Sequence, residues 1–278
     1  MLPLIDTHAH PQFSAFDDDR DIVLERARAA GLQALIAVGT DIPTSEAALD
    51  LAERHDWVYA TAGIHPHDAE KATHSDPYLI RTYASHPRAV AVGETGLDYY
   101  RMLSSREAQI ALFRAHLVIA GGIGRPVVVH SRSAADDTWD ILCEWAAGLD
   151  RDGREQRPIG VMHCFEGDLA QAERYVSIGF LISIPGPVTY PNAARRQEVA
   201  AGLALDAMVV ETDCPYLTPQ RYRGHRNEPA YLVETVQTIA SLRSQSPAEI
   251  AQATSANASR LFGIPTPSGV TPDRGSNR

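Results

Sequence analysis

Six residues with metal-ligating side chains stand at the ends of short apolar runs: His8 and His10 in IDTHAH, Glu94 in AVAVGE, His130 in PVVVH, His163 in GVMHC and Asp213 in AMVVETD. His65 follows a further run, VYATAG. His8 and His10 are two residues apart, so in an extended segment both side chains point the same way and can share one ion. Taken singly, each is explained as readily by a structural hydrogen bond, and Glu94 by an ion pair inside a barrel. Together they are not: burying so many polar groups without partners costs several kcal/mol each. Four imidazoles and two carboxylates exceed the tetrahedral set of one ion and suit two ions sharing a bridge. Glu94 is the natural bridge because it offers two oxygens, and Gly93 and Gly96 leave room for close backbone approach. Ligands this rich in histidine favour Zn, Mn, Fe, Co or Ni over Mg. Of the eleven histidines, His55, His74, His86 and His116 fall in helical or connecting stretches and are assigned to the surface.

The runs that carry these residues read as strands: 2–6, 34–39, 58–63, 89–94, 126–130, 160–164, 180–184 and 207–213. Each is short, rich in Val and Ile and bounded by Gly, Pro or polar residues, the pattern of strands buried on both faces of a parallel sheet. Amphipathic stretches alternate with them. One covers 105–120, where Ile110, Phe113 and Leu117 recur at helical spacing, with Ser104 and Glu107 as its capping box. Ser246, Pro247 and Glu249 fit the N-cap, N1 and N3 positions of a last helix. Eight strands alternating with helices predict an α/β fold, a (β/α)8 TIM barrel whose strand ends converge on one face. An open doubly wound sheet would call for a GxGxxG turn after the first strand, and DTHAHPQF contains no glycine. The polar stretch 148–158 precedes the sixth strand and reads as a solvated insertion at the bottom of the barrel. Residues 1–264 form one domain. Residues 265–278, rich in Pro, Gly, Ser and charge, read as a disordered tail.

A chain of 278 residues, 44% of them hydrophobic, suits one large barrel. Three cysteines without a CxxC argue against a disulfide framework and a cysteine-based zinc finger. No signal peptide is visible in MLPLIDTHAH and no apolar stretch approaches the length of a membrane span, so a cytoplasmic monomer that uses no membrane is expected. The formal net charge of −10 argues against a long nucleic-acid-binding surface but allows a small pocket for one strand end.

The segments LIDTHAH, GIHPH, VGETGLDYY, VVVHSR, MHCFEG, VETDCPYLTP and YRGHRNEP follow one another as in the TatD family of metal-dependent deoxyribonucleases, which the chain resembles over roughly residues 3–264. The resemblance implies a barrel of the metallo-dependent hydrolase superfamily and two divalent metal ions (Zn, Mn, Fe, Co, Ni or Mg). His8, His10 and Asp213 would hold one ion, His130 and His163 the second, and Glu94 would bridge them. Asp213 would also orient or deprotonate the attacking water, making it and Glu94 the catalytic pair. His65, Arg132 and Arg223 would face the phosphate or the nucleotide end. The expected substrate is single-stranded DNA cut from its 3′ end, with Arg226 adding charge to the mouth. Departures from the family pattern are His225 in place of a usual Lys, Cys214 in place of Ser, and Pro185 and Pro187 in ISIPGPVTY. Cys214 has no evident base and reads as structural rather than nucleophilic. Three rivals remain: hydrolysis of a small cyclic amide or lactone, ester hydrolysis on aminoacyl-tRNA, and metal binding without turnover. Glu94 stands where amide and lactone hydrolases of this superfamily have a modified Lys. Asp213 counts against the third rival, because a purely structural site needs no base.

Overall fold

Every predicted strand forms. The computed structural model describes residues 2–149 and 157–266, and in them strand and helix alternate: β1 (Leu4–Ala9), α1 (Arg20–Ala29), β2 (Leu32–Val38), α2 (Ile42–Arg54), β3 (Val58–Ala62), α3 (Asp76–Ala84), β4 (Ala89–Asp98), α4 (Arg106–Ile123), β5 (Val127–Arg132), α5 (Ala135–Gly148), β6 (Gly160–Met162), α6 (Leu169–Ser177), β7 (Phe180–Ile184), α7 (Ala194–Gly202), β8 (Met208–Val210), α8 (Leu232–Arg243) and α9 (Pro247–Phe262). The strands are ordered β1 to β8, and each neighbouring pair is parallel. Backbone bonds close the ring between the first strand and the segment after the last: Asp213 N–H donates to His8 O at 2.8 Å, and His10 N–H to Cys214 O at 2.8 Å. The result is a (β/α)8 barrel.

Strand alternation sorts the apolar side chains into two cores. Ile5, Ile36, Val90, Val128, Val161, Leu181 and Val209 cluster inside the barrel, where Leu261 and Phe262 at the end of α9, and Ile264 just beyond it, join them. Residues one position along, such as Leu4, Leu35, Val127, Phe180 and Met208, pack outward among the helices.

The ends of the elements differ from the sequence reading where a side chain has another task. β4 runs on to Asp98 because Thr95–Asp98 pair with Val129–Arg132. Gly96 permits this: its φ is 138°, and a Cβ there would run into the carbonyl oxygen of His130. β6 and β8 stop early, since Cys164 and Asp213 take positive φ of 46° and 57°. Helix α4 is capped by Ser105, which accepts from Ala108 N–H, and not by Ser104. Ser104 is buried and ties two loops together, its hydroxyl donating to His67 O and accepting from Glu70 N–H. The capping box of Ser246 and Glu249 on α9 is present as expected. His116 is the second correction: it is buried in α4, not on the surface. Its Nε2 accepts from Ile64 N–H at 3.1 Å and its Nδ1 donates to Leu112 O at 2.9 Å. Most of the predicted insertion at 148–158 and nearly all of the predicted tail lie outside the described residues. Among those described, no helix is long and apolar enough to cross a membrane.

Candidate metal centre and catalytic site

The strand ends bring all six predicted ligands, and His65 with them, to one face. Glu94 is at the centre. One of its carboxylate oxygens lies 3.3 Å from His8 Nε2; the other lies 3.0 Å from His130 Nδ1, 3.5 Å from His65 Nε2 and 3.6 Å from His163 Nε2. Asp213 Oδ1 is 3.3 Å from His10 Nε2 and 3.8 Å from His8 Nε2. Among the described residues four overlapping groups have ligand atoms within 4.8 Å of one another: three round the cluster (His8, Glu94 and His163; His8, His10 and Asp213; His65, Glu94 and His130) and one behind it (His163, Cys164 and Glu211). Glu94, His8 and His163 each belong to two of them. The grouping refines the sequence reading. His163 stacks on His8 at 3.5 Å between ring centroids and stands farther from His130, at 6.2 Å, while His65 joins Glu94 and His130.

A second layer orients these rings, and composition alone did not single it out. His10 Nδ1 lies 2.8 Å from Val38 O, which can only accept, so this nitrogen donates there and fixes the ring with Nε2 facing Asp213. His163 Nδ1 meets Glu211 Oε2 at 3.1 Å, leaving Nε2 aimed at Glu94. Glu211 is itself fixed by Ser183 Oγ and Cys164 N–H. Asp98 receives His130 Nε2 at 3.2 Å and His67 Nε2 at 2.9 Å. Carboxylate–imidazole–ligand chains of this kind are the usual support of a metal site. The signals were present in the sequence, since Glu211 is two residues before Asp213 and Asp98 four after Glu94 on the same strand. Asp6 plays a structural part, accepting from Thr212 Oγ1 and from the N–H groups of Thr212 and His8 across the barrel closure.

The donor set fits divalent cations. Buried imidazoles and carboxylates face one another at distances too long for a full set of hydrogen bonds, and His8 Nδ1 has no partner among the described residues. Without an ion, protons balance the charge. Burial pushes His65 down to about 3. Burial also works against protonation of His163, but the charges of Glu211 and Glu94 overcome it and raise this imidazole to about 10. Burial likewise opposes ionisation of Asp213, yet the hydrogen bond from His10 and the charge of His163 hold it below the ordinary carboxylate value. Cations entering the cluster displace such protons. Burial raises the Cys214 thiol well above its usual range and leaves it fully enclosed, which agrees with a structural thiol.

Above the cluster is a cavity of about 420 Å³ whose wall includes Phe13, His65, Arg101, Leu103, Arg132 and Tyr216. Arg132 stacks over Tyr100 at 4.0 Å. Asp98 holds the loop after β4 in place by accepting from Tyr100 and Arg101 N–H. The other predicted arginines do not line this cavity. Arg223 lies over Tyr190 at 5.1 Å. Arg226 is committed elsewhere, paired with Asp19 at 2.7 Å and stacked on Phe16, so its charge is not free to serve the mouth. Sequence reasoning missed Arg101 and Tyr216, which reach the cavity from loops.

Comparison with known proteins gives the family. The profile of the TatD related DNase family matches residues 5–263. A Bacillus subtilis protein named uncharacterized metal-dependent hydrolase YabD is 39% identical, over 94% of this chain and 99% of its own. The 3′-5′ ssDNA/RNA exonuclease TatD of Klebsiella pneumoniae is 35% identical, over 90% of this chain and 94% of its own. Among solved structures, the Escherichia coli TatD homolog YJJV superposes with a TM-score of 0.85 at 32% identity, covering 95% of this chain and 99% of that one. An organophosphorus hydrolase from Deinococcus radiodurans shares the fold at a TM-score of 0.62 and 15% identity. A barrel with its ligand-type residues gathered round one glutamate, and relatives matched almost end to end, have one reading: this chain belongs to the TatD-related family of metal-dependent hydrolases.

Proposed function

We propose that this enzyme is a 3′ exonuclease that removes nucleotides from single-stranded DNA ends, using two divalent metal ions. The observation that carries this reading is the sharing of Glu94 and His8 between overlapping ligand groups at the floor of one cavity. The family and the printed activity of the Klebsiella relative support the substrate class. In this reading His8, His10 and Asp213 would hold one ion, His130 with His65 the other, His163 stands beside His8 and Glu94, and Glu94 would serve both ions.

Divalent cations supply Lewis acidity, lowering the pKa of water and offsetting charge on the phosphoryl oxygens. The protein's own groups do the rest. Asp213, ionised and 13% exposed toward the cavity, orients a water and accepts its proton. Arg132 and Arg101 have no acidic partner among the described residues and meet the phosphates. His65 is near enough to Glu94 to contact a phosphoryl oxygen at the cluster. Arg223, farther out over Tyr190, is left for the nucleotides beyond.

The test is to incubate metal-loaded protein with end-labelled single-stranded DNA, aminoacyl-tRNA and a small cyclic amide, with and without chelator. Chelator-sensitive shortening of the DNA alone is expected. Turnover of the ester or amide with the DNA intact would overturn the proposal.

A further inference from the structure

A second cavity, of about 280 Å³, opens on the same face between the loops after β5 and β6. His163 lines both cavities, so they meet beside the ligand cluster that floors the larger one. The two differ in character. The smaller has an aromatic wall of Phe165 and Tyr175, both buried, with ring centroids 6.2 Å apart. Ser131, Ser133 and Gln171 give it a polar side. Gln171 spends its Oε1 on Asp168 N–H, while its NH2 makes no hydrogen bond among the described residues. Arg195 reaches over it from α7 with no acidic partner among the described residues, whereas the adjacent Arg196 is neutralised by Glu166 at 2.9 Å.

The larger cavity opens onto exposed surface. Tyr100, Met102, Leu103 and Tyr216 are 50–63% exposed there, half of the eight large apolar side chains that are exposed among the described residues. With Arg101 and Arg132 beside them, they offer stacking faces and positive charge, which is how unpaired strands are held.

Building on the exonuclease reading, we infer that the smaller cavity takes the terminal nucleotide and that the rest of the strand runs out over the loop after β4. An aromatic wall suits the face of a base, the Ser and Gln side chains its polar edge, and a pocket of this size has room for one nucleotide. The scissile phosphate then lies at the cluster, where the cavities meet. A water oxygen bonds to phosphorus as the bond from phosphorus to the O3′ of the preceding sugar breaks. The water's proton passes to Asp213, and the departing 3′ oxygen takes a proton from solvent. The terminal unit remains in the pocket as a 5′-mononucleotide, and the strand keeps a 3′ hydroxyl.

The experiment uses the product, which undergoes no turnover in this reaction, so its binding does not depend on nuclease activity. Titration calorimetry on the metal-loaded protein compares 5′-deoxyadenosine monophosphate, deoxyribose 5-phosphate and inorganic phosphate. A stacked base should make the first bind about tenfold or more tightly than the second. Ala135→Trp, which fills the smaller cavity from the start of α5, should erase that advantage. Arg195→Glu, a surface change that does not burden folding, should weaken the mononucleotide several-fold. Equal binding of nucleotide and sugar phosphate by the unaltered protein would overturn the inference, as would loss of the advantage on filling the larger cavity by Leu103→Trp while Ala135→Trp keeps it. If the calorimetric preference holds but single-stranded DNA is not shortened, the exonuclease reading falls and a nucleotide pocket stands.

Discussion

Glu94 is buried among four imidazoles, and burial alone would favour its neutral form; the neighbouring imidazoles, His163 above all, and the hydrogen bond from His130 reverse this and keep it ionised. A carboxylate so placed is poised to exchange those protons for cations. Replacing it with Ala should therefore weaken both ions, while His10→Ala, at the edge of the cluster, should weaken one. Metal analysis of the purified variants checks this, and two ions retained at full affinity in Glu94→Ala would remove its bridging role. Asp213→Asn should lower turnover by about two orders of magnitude or more, the scale for loss of a general base. Metal content must be measured on the same preparation, because near-normal turnover with both ions present would exclude Asp213 as the base. At this scale the sequence was informative about residues that end strands, since strand ends converge by topology. It was silent on Arg101 and Tyr216, whose positions depend on loop paths, and it misjudged Arg226, whose charge is spent on Asp19.

Among the elements, α4 does more than cover the barrel. His116 fastens it to Ile64, the residue before His65, and Gln109 bonds both the N–H and the carbonyl of Asp98. Helix, β3 exit and β4 end are thus one unit. Burial lowers the His116 imidazole from 6.5 to about 4, so the folded state keeps it neutral where the unfolded chain protonates it. Its contribution to stability is present above pH 6.5 and is lost as pH falls from there toward 4, by about 3 kcal/mol in all. His116→Gln, which retains an acceptor for Ile64, should be less acid-sensitive across that interval in denaturant unfolding. An unchanged difference in stability between pH 7 and pH 4.5 would contradict the assignment. The period-3.6 pattern revealed α4 but not this role, because a histidine in a helix looks the same in sequence whether its face meets water or another element. At the other end of the barrel, Phe262 closes the interior core. Phe262→Ala should cost about 3–5 kcal/mol, read as a large drop in melting temperature without loss of bound metal.

For the whole molecule, the proposal turns on the contrast between a chain of net charge −10 and a larger cavity lined by Arg101 and Arg132, neither of which has an acidic partner among the described residues. On the exonuclease reading, long duplexes should be repelled and only a few phosphates held at once. Two or three contacts at about 0.7 each give a log–log dependence of binding on salt near −2, and Arg132→Ala should flatten it by nearly one contact. The alternation of eight strands and helices made the barrel legible from the sequence, and its topology explains why residues as far apart as His8 and Asp213 could be placed together without any structure. The cavities were not legible, because they are formed by loops whose course follows from contacts such as Asp98 with Arg101. The most direct test of the whole reading is to digest linear and circular single-stranded DNA of the same sequence with metal-loaded protein. The linear strand should shorten from its 3′ end, one nucleotide at a time, in a reaction that chelator stops, while the circle stays intact; rapid cutting of the circle would contradict a site built to receive a strand end.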